Sequence, residues 1–390
     1  MVAAAPAGSS EARDRATHPT PALAAGSRTG RAWGEFLLAG GITPLLYPLS
    51  WLLRRKFGID GPDLAVGFLM FHAAFVINDP HFTVTYCLFY RGFRARAFGG
   101  AIDPWQRARY VAAGVVAPVV LAAWGAAGLA SSSPAVLGAL IQGMFLLVGW
   151  HYVKQGFGAM IVLSARRGVR FTGRERLALL AHCLAGWAYA WASPADLGTE
   201  VEEKGVVFVT WVHPVWLERL TLAVLFGTAA VLLGVLVQKW RREGPLPILT
   251  PLTAMLCSVW AWSIYSSIDP LVVYVVPALH SVQYLYFVWL LRGNEARERE
   301  GPPWFDKPVR VRLAGLAVSA LVLGWLLFHG VPSVLDDLLV PRRRRWVPPL
   351  GSTPYLAFFY TFVNIHHFVM DAVLWRRENS ETRYLSQGVA

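Results

Sequence analysis

An all-helical bundle that crosses a membrane about nine or ten times is the fold this sequence predicts, from three observations. Hydrophobic residues make up 55% of the 390 and charged residues only 15%, far from the balance of a soluble protein of this size. Apolar runs of about 18 to 25 residues recur along the chain, each long enough to cross ~30 Å of hydrocarbon as a helix. Between these runs, Lys and Arg gather in short clusters at every second connection, with Arg54, Arg55 and Lys56 after the first run departing from the alternation. Backbone in lipid must be satisfied within its own segment, so the runs are expected as helices forming a single domain over residues 33–377.

Residues 1–32 are rich in Ala, Gly, Ser, Pro and Arg and lack the apolar core of a secretory signal, so they read as a disordered cytoplasmic tail. The runs follow at 33–52, 64–89, 110–130, 135–164, 177–194, 218–239, 247–266, 270–291, 311–330 and 354–375. The first, with Glu35, Pro44 and Pro48 inside it, is either a span or a re-entrant segment. Clusters at Arg91 to Arg109, Arg166 to Arg176, Lys239 to Arg242, Arg292 to Arg312 and Arg376 to Arg383 are placed on the cytoplasmic side. The C-terminal tail, 378–390, is expected there too, in a bacterial inner membrane. "SSSP", "DLGTEVEEKG" and "SSIDP" carry almost no positive charge and are read as external, and "PRRRRW" (341–346) falls on a connection also read as external. The net charge of +12 therefore describes membrane topology and lipid contact, with no nucleic-acid motif to suggest another partner. Cys87, Cys183 and Cys257 stand singly in apolar runs, which excludes a disulfide framework and a CxxC site.

Ionisable and amide side chains concentrate in four runs that descend from outside to inside. His72, Asn78, Asp79 and His81 are in the second run, and His151, Lys154 and Gln155 in the fourth. His280 and Gln283 are in the eighth, and Asn364, His366, His367 and Asp371 in the tenth. His81 precedes Arg91 by ten residues, His151 precedes Arg166 by fifteen, His280 precedes Arg292 by twelve and His366 precedes Arg376 by ten. At about 1.5 Å per residue the four groups share a level roughly 15 to 22 Å from their basic ends, so they can converge near mid-membrane. A central Asp, Lys or Arg costs about 2.5 to 3.5 kcal/mol on insertion, and such a concentration marks a functional centre.

Within runs, His151 with Gln155, His280 with Gln283, His367 with Asp371 and Asn364 with His367 lie three or four residues apart on shared faces. His72 and His81 fall on opposite faces of an ideal helix, so Pro80 must kink the run if both join one site. His366 is turned about 100° from His367, so the two have unequal roles: His367 as ligand, His366 toward substrate or orienting a neighbour. The candidate metal ligands are thus His72, His81, His151, His280, His366 and His367, with Asp79, Asp371, Gln155 and Gln283 as ligand, base or supporting groups. Imidazole and carboxylate donors suit non-haem iron first, and also Zn, Cu or Mn; haem between two His remains open.

His-rich membrane helices without a soluble-enzyme signature resemble, in general type, the integral-membrane desaturases, hydroxylases and carotenoid oxygenases. The resemblance covers the four His-bearing helices and the residue type, and the desaturase boxes HxxxH and HxxHH are absent. It implies an oxidoreductase acting on a lipid-soluble substrate at an intramembrane metal, with an electron-transfer partner. The alternative is a proton-coupled transporter or channel in which the same His and Asp residues relay protons, with helices broken at Pro80 and at Gly156 and Gly158. His182, His213 and His329 lack spaced partners and are read as core, interfacial and outer-edge residues, respectively.

Overall fold

The computed structural model describes residues 25–58, 60–100, 102–194, 197–340 and 349–386. It is 81% helical, as burial of backbone in hydrocarbon requires. The first half comprises α1 (Ala25–Phe36), α2 (Thr43–Phe57), α3 (Asp60–Ala74), α4 (Asn78–Tyr90), α5 (Phe93–Phe98), α6 (Pro104–Val111), α7 (Ala117–Ala130), α8 (Pro134–Arg166) and α9 (Gly173–Ala192). A hairpin, β1 (Glu200–Glu203) and β2 (Val206–Val209), leads to α10 (Val215–Glu243), α11 (Leu249–Leu256), α12 (Pro270–Glu300), α13 (Val309–Trp325), α14 (Val331–Leu339), α15 (Pro354–Leu374) and α16 (Arg383–Ser386).

Among the described residues, seven helices are long and apolar enough to cross a membrane, or eight if the broken pair Gly30–Gly41 and Thr43–Phe57 is one span. That pair turns through 69° at Gly40, buried with φ 110, where an added Cβ would lie 3.2 Å from the Trp262 indole. The first run is thus a bent pair of helices rather than one straight helix, a geometry that fits a broken span and a re-entrant segment alike. Two other predicted spans fall short of the seven: α9 is less apolar, with Arg174, Glu175 and Arg176 at its start, and the apolar stretch Leu249–Ile264 is short. Residues 1–24, the "PRRRRW" connection and residues 387–390 lie outside the described residues, but 25–32 belong to a helix rather than the expected tail. Likewise Ser380–Thr382 and α16 continue ordered structure past residue 378, with Tyr384 and Leu385 buried.

Three spans are the most buried and form the centre: α8, α12 and α15, packed with α4. On the basic face their ends are bound together. Buried Glu295 gathers Arg91 at 3.6 Å, Arg299 and Arg312 at 3.5 Å, and Arg292. Arg96 pairs with Glu381 at 2.5 Å, and Arg166 donates to the Leu385 carbonyl. On the opposite face, the Asp336 carboxylate accepts from the backbone N–H groups of Tyr355 and Leu356 and so caps α15.

The β-hairpin lies on that opposite face, in a connection the sequence reading left without structure. Lys204 and Gly205 at φ 50 and 83 form the tight turn whose twist suits two paired strands. Val206 and Phe208 bury against Leu137, Leu140 and Ile141 of α8. The Gln142 side chain both donates to the Val209 carbonyl and accepts from the Trp211 N–H.

Two expected helix breaks resolve differently. The second run breaks at 75–77, just ahead of Pro80, which thereby sits in the first turn of α4 where its missing N–H leaves no bond unmade. In contrast, α8 runs unbroken for 33 residues through Gly156 and Gly158. Gly156 serves close packing instead, since a Cβ there would lie 2.6 Å from the Ser258 Cβ, whereas Gly158 has open space. Both positions gain up to about 1 kcal/mol of helix propensity from Ala. Gly158→Ala is therefore expected to raise the unfolding midpoint in detergent and Gly156→Ala to lower it; equal shifts for the two would remove the packing role of Gly156.

Candidate metal centre

The four central helices contribute one imidazole each to a single buried cluster. His81 comes from α4, His151 from α8, His280 from α12 and His367 from α15, with residue exposures from 0% to 4%. Ring centroids stand 4.5 Å apart for His81 and His367, 4.8 Å for His151 and His367, 4.9 Å for His151 and His280, and 5.0 Å for His81 and His280. The Nε2 atoms of His151 and His367 approach to 3.2 Å. Asp371 Oδ2 lies 3.4 Å from the His367 Nε2 and 3.8 Å from the His151 Nε2. Two triads have ligand atoms within 4.8 Å of one another: His81, His151 and His280, and His151, His367 and Asp371.

One helical turn toward the basic face lies a second polar layer, built from the same four helices. Thr85 is four residues after His81, Gln155 four after His151, Tyr284 four after His280 and Asp371 four after His367. The Tyr284 hydroxyl lies 2.7 Å from Asp371 Oδ1 and 2.6 Å from the Thr85 hydroxyl, which itself reaches Asp371 Oδ1 at 3.4 Å. Gln155 donates to the Gln283 side-chain carbonyl at 2.8 Å and to the His280 backbone carbonyl at 3.1 Å; Gln283 donates to the Ala39 carbonyl at 2.7 Å. The two amides therefore brace α8, α12 and the bend of the broken pair, and do not reach the imidazole nitrogens.

The polar atoms of the upper layer are less fully partnered. His81 Nδ1 meets the Ser281 hydroxyl at 3.1 Å, but its Nε2, both nitrogens of His280 and Nδ1 of His367 are buried without a hydrogen-bond partner. Orphaned buried polar atoms are rare in native structures, and four in one cluster of imidazoles are donor nitrogens that a bound cation could engage, one from each ring. Neutral imidazoles and a carboxylate, with no thiolate in either triad, fit a first-row divalent metal.

Three sequence-predicted site residues lie elsewhere. His72 sits on α3, exposed, its Nδ1 2.9 Å from the Phe68 carbonyl, because the break at 75–77 detaches its register from that of His81. His366 has both ring nitrogens occupied, Nδ1 by the Tyr86 hydroxyl and Nε2 by the Ala113 carbonyl, each at 3.0 Å. It ties α15 to α4 and to the π-helical segment Ala112–Val116. Asp79 pairs with His329 at 2.8 Å, and that imidazole stacks on Phe75 at 4.2 Å. His329 projects from the π-helical segment Leu326–Gly330, a local widening that no residue spacing announces.

Sequence reasoning missed Tyr284, Thr85 and Ser281. The signal was present as the i, i+4 step from His280 to Tyr284 and from His81 to Thr85, but hydroxyls among many aromatic and small residues do not stand out. His182 matches its core reading, accepting from the Trp260 indole N–H at 3.2 Å and lying 3.3 Å from the Thr228 hydroxyl.

A cavity of about 420 Å³ reaches the centre from the basic face, with His151, Tyr284 and Asp371 at its inner end. No protein-family model matches this chain, and no curated protein or solved structure does either.

The geometry of the site separates the adjacent histidines from the distant one. His366→Ala leaves the Tyr86 hydroxyl and the Ala113 carbonyl unpartnered, a loss of about 1–3 kcal/mol, and should lower thermal stability measurably. His72→Ala, on the exposed face of α3, should stay within about 0.5 kcal/mol of the parent. Thermal melts of the detergent-solubilised variants check this, and the reverse order would contradict the assignment.

Proposed function

We propose that the chain is a membrane-embedded metalloenzyme that holds its ion among His81, His151, His280, His367 and Asp371 and oxidises a lipid-soluble substrate. The observation that carries the reading is one buried cluster of imidazoles from four helices, in which His81, His280 and His367 keep ring nitrogens without hydrogen-bond partners. A divalent cation takes one lone pair from each imidazole it binds, and so satisfies nitrogens that have no protein donor within reach. Among metals, the nitrogen and oxygen donors favour non-haem iron, with Zn, Cu and Mn able to use the same set. Neighbouring imidazoles of the cluster stand 4.5–5.0 Å apart between ring centroids, and His81 and His151 across it 6.3 Å, which leaves no slot for a porphyrin and supports a bare ion over haem.

When bound, such an ion supplies Lewis-acid or redox chemistry at the inner end of the cavity. The protein's own contribution is positioning and proton handling. Tyr284 and Thr85 hold Oδ1 of Asp371, which leaves Oδ2 beside the two Nε2 atoms of His151 and His367. Asp371 lines the cavity, so its carboxylate can take or return a proton next to a bound molecule. Phe368 stacks on the His151 ring at 4.6 Å and helps fix its plane. Aromatic and aliphatic walls beyond it keep water scarce and suit an apolar substrate.

Elemental analysis of the detergent-purified protein should find near-stoichiometric metal, with iron foremost. His151→Ala should strip it, because His151 belongs to both triads, and Asp371→Asn should weaken it 10-fold or more. Acidification should release the ion, since its imidazole ligands bind only when neutral. A protein that stays metal-free after incubation with Fe(II), Zn(II), Cu(II) and Mn(II) would end the metalloenzyme reading and leave a proton relay through the same residues in its place.

A further inference from the structure

The cavity below the centre has a chemical polarity of its own. Its walls are Phe157, Phe287, Phe368, Trp375 and aliphatic residues, and its cations step inward from exposed Arg176 and Arg377 at the rim to half-buried Arg376 and Lys154. The only acid among its lining residues is Asp371, at the inner end. Arginines at the rim belong to the basic belt that all the helix ends share. Lys154 does not: it stands twelve residues before the end of α8 at Arg166, about 18 Å inward along the helix axis.

A buried lysine elsewhere in the molecule, at the basic end of α10, is fully paired. Lys239 of α10, 1% exposed, has Glu243 at 2.7 Å, Glu175 at 3.5 Å and the Arg170 carbonyl at 2.7 Å. The Lys154 ammonium has no carboxylate partner among the described residues and makes only a contact with the Phe157 ring, 5.7 Å from its centroid. It lines the cavity three residues from His151 and one turn from the metal-centre layer. An unpaired cation facing an apolar chamber that ends at a reactive centre is complementary to an anion carried on a hydrophobic body.

The geometry points to an anionic amphiphile as the molecule this chamber binds: an apolar chain or ring system ending in a carboxylate or phosphate, its charged end held by Lys154 and Arg376. The assignment rests on the reading that the His and Asp371 cluster is the reactive centre, since it says which class of substrate that centre meets.

The test uses the full-length protein in phosphatidylcholine nanodiscs and three probes of equal chain length: hexadecanoate, its methyl ester and hexadecylammonium. Hexadecanoate should bind at least 10-fold more tightly than the other two. Lys154→Gln should abolish that preference and leave ester binding and metal content unchanged, while Lys154→Arg should keep it. Repeating the measurement with phosphatidylglycerol in the nanodisc identifies the source of the anion. Displacement of hexadecanoate assigns the chamber to a bilayer lipid headgroup, and retention assigns it to a smaller acid; both support the anionic amphiphile. Equal affinity for acid and ester, no binding of any probe, or an unchanged preference in Lys154→Gln would overturn it. Metal content is read on the same samples. A metal-loaded protein without acid preference defeats this inference alone, and acid preference in a metal-free protein defeats the metal reading alone.

Discussion

The demand that a buried carboxylate be held by fixed donors organises the middle of this molecule. Asp371 is buried in α15 at the inner end of the cavity, and it meets groups from three other helices: Tyr284 of α12 and Thr85 of α4, which donate to it, and His151 of α8 at 3.8 Å. Each of those groups sits one turn from, or is itself, a member of the imidazole cluster. Satisfying one carboxylate therefore fixes the rotation of four helices about their axes, and the rotation in turn aims His81, His280 and His367 at one another. In a lipid environment, where apolar contacts between helices have little advantage over contacts with acyl chains, such polar register pins carry specificity that packing alone does not.

The close packing around this layer follows from it. Helices pinned by short side chains must approach closely, and the small residues are where that happens: Gly156 against Ser258, and Gly324 against the backbone and Cβ of Asp79. The amide pair of Gln155 and Gln283 extends the same logic outward to the Ala39 carbonyl, beside the bend at Gly40. The bent first segment is thus part of the bundle's polar scaffold, which explains how a run too irregular to be a simple span is still held in place.

Much of the centre was legible in the sequence because depth along a helix is linear in residue number. Counting from each basic cluster placed His81, His151, His280 and His367 at one level, and the three-dimensional cluster contains those four. What counting from one end does not reveal is rotation across a discontinuity. His72 lies beyond the break at 75–77, so its phase relative to His81 was undetermined, and the pairing of Asp79 with His329 depends on a π-helical turn that has no signature in residue spacing. His366 illustrates a different limit: its angular separation from His367 was readable, but the hydroxyl and carbonyl that occupy it belong to α4 and Ala113, which sequence separation conceals. The hairpin was missed because four-residue strands between charged residues give too short an alternation to distinguish from a polar loop.

The position of α15 in the chain has a consequence for biogenesis. His367 and Asp371 come from α15, which leaves the ribosome after α4, α8 and α12, and Arg376, on the cavity wall, follows them. Until that segment is synthesised and inserted, α4, α8 and α12 present three imidazoles to a gap with no carboxylate in it. Completion of the centre therefore waits for α15, and a nascent bundle that lacks this helix is unable to assemble the full set of donors. Loading of the proposed ion by all five residues is consequently a step that follows the insertion of α15.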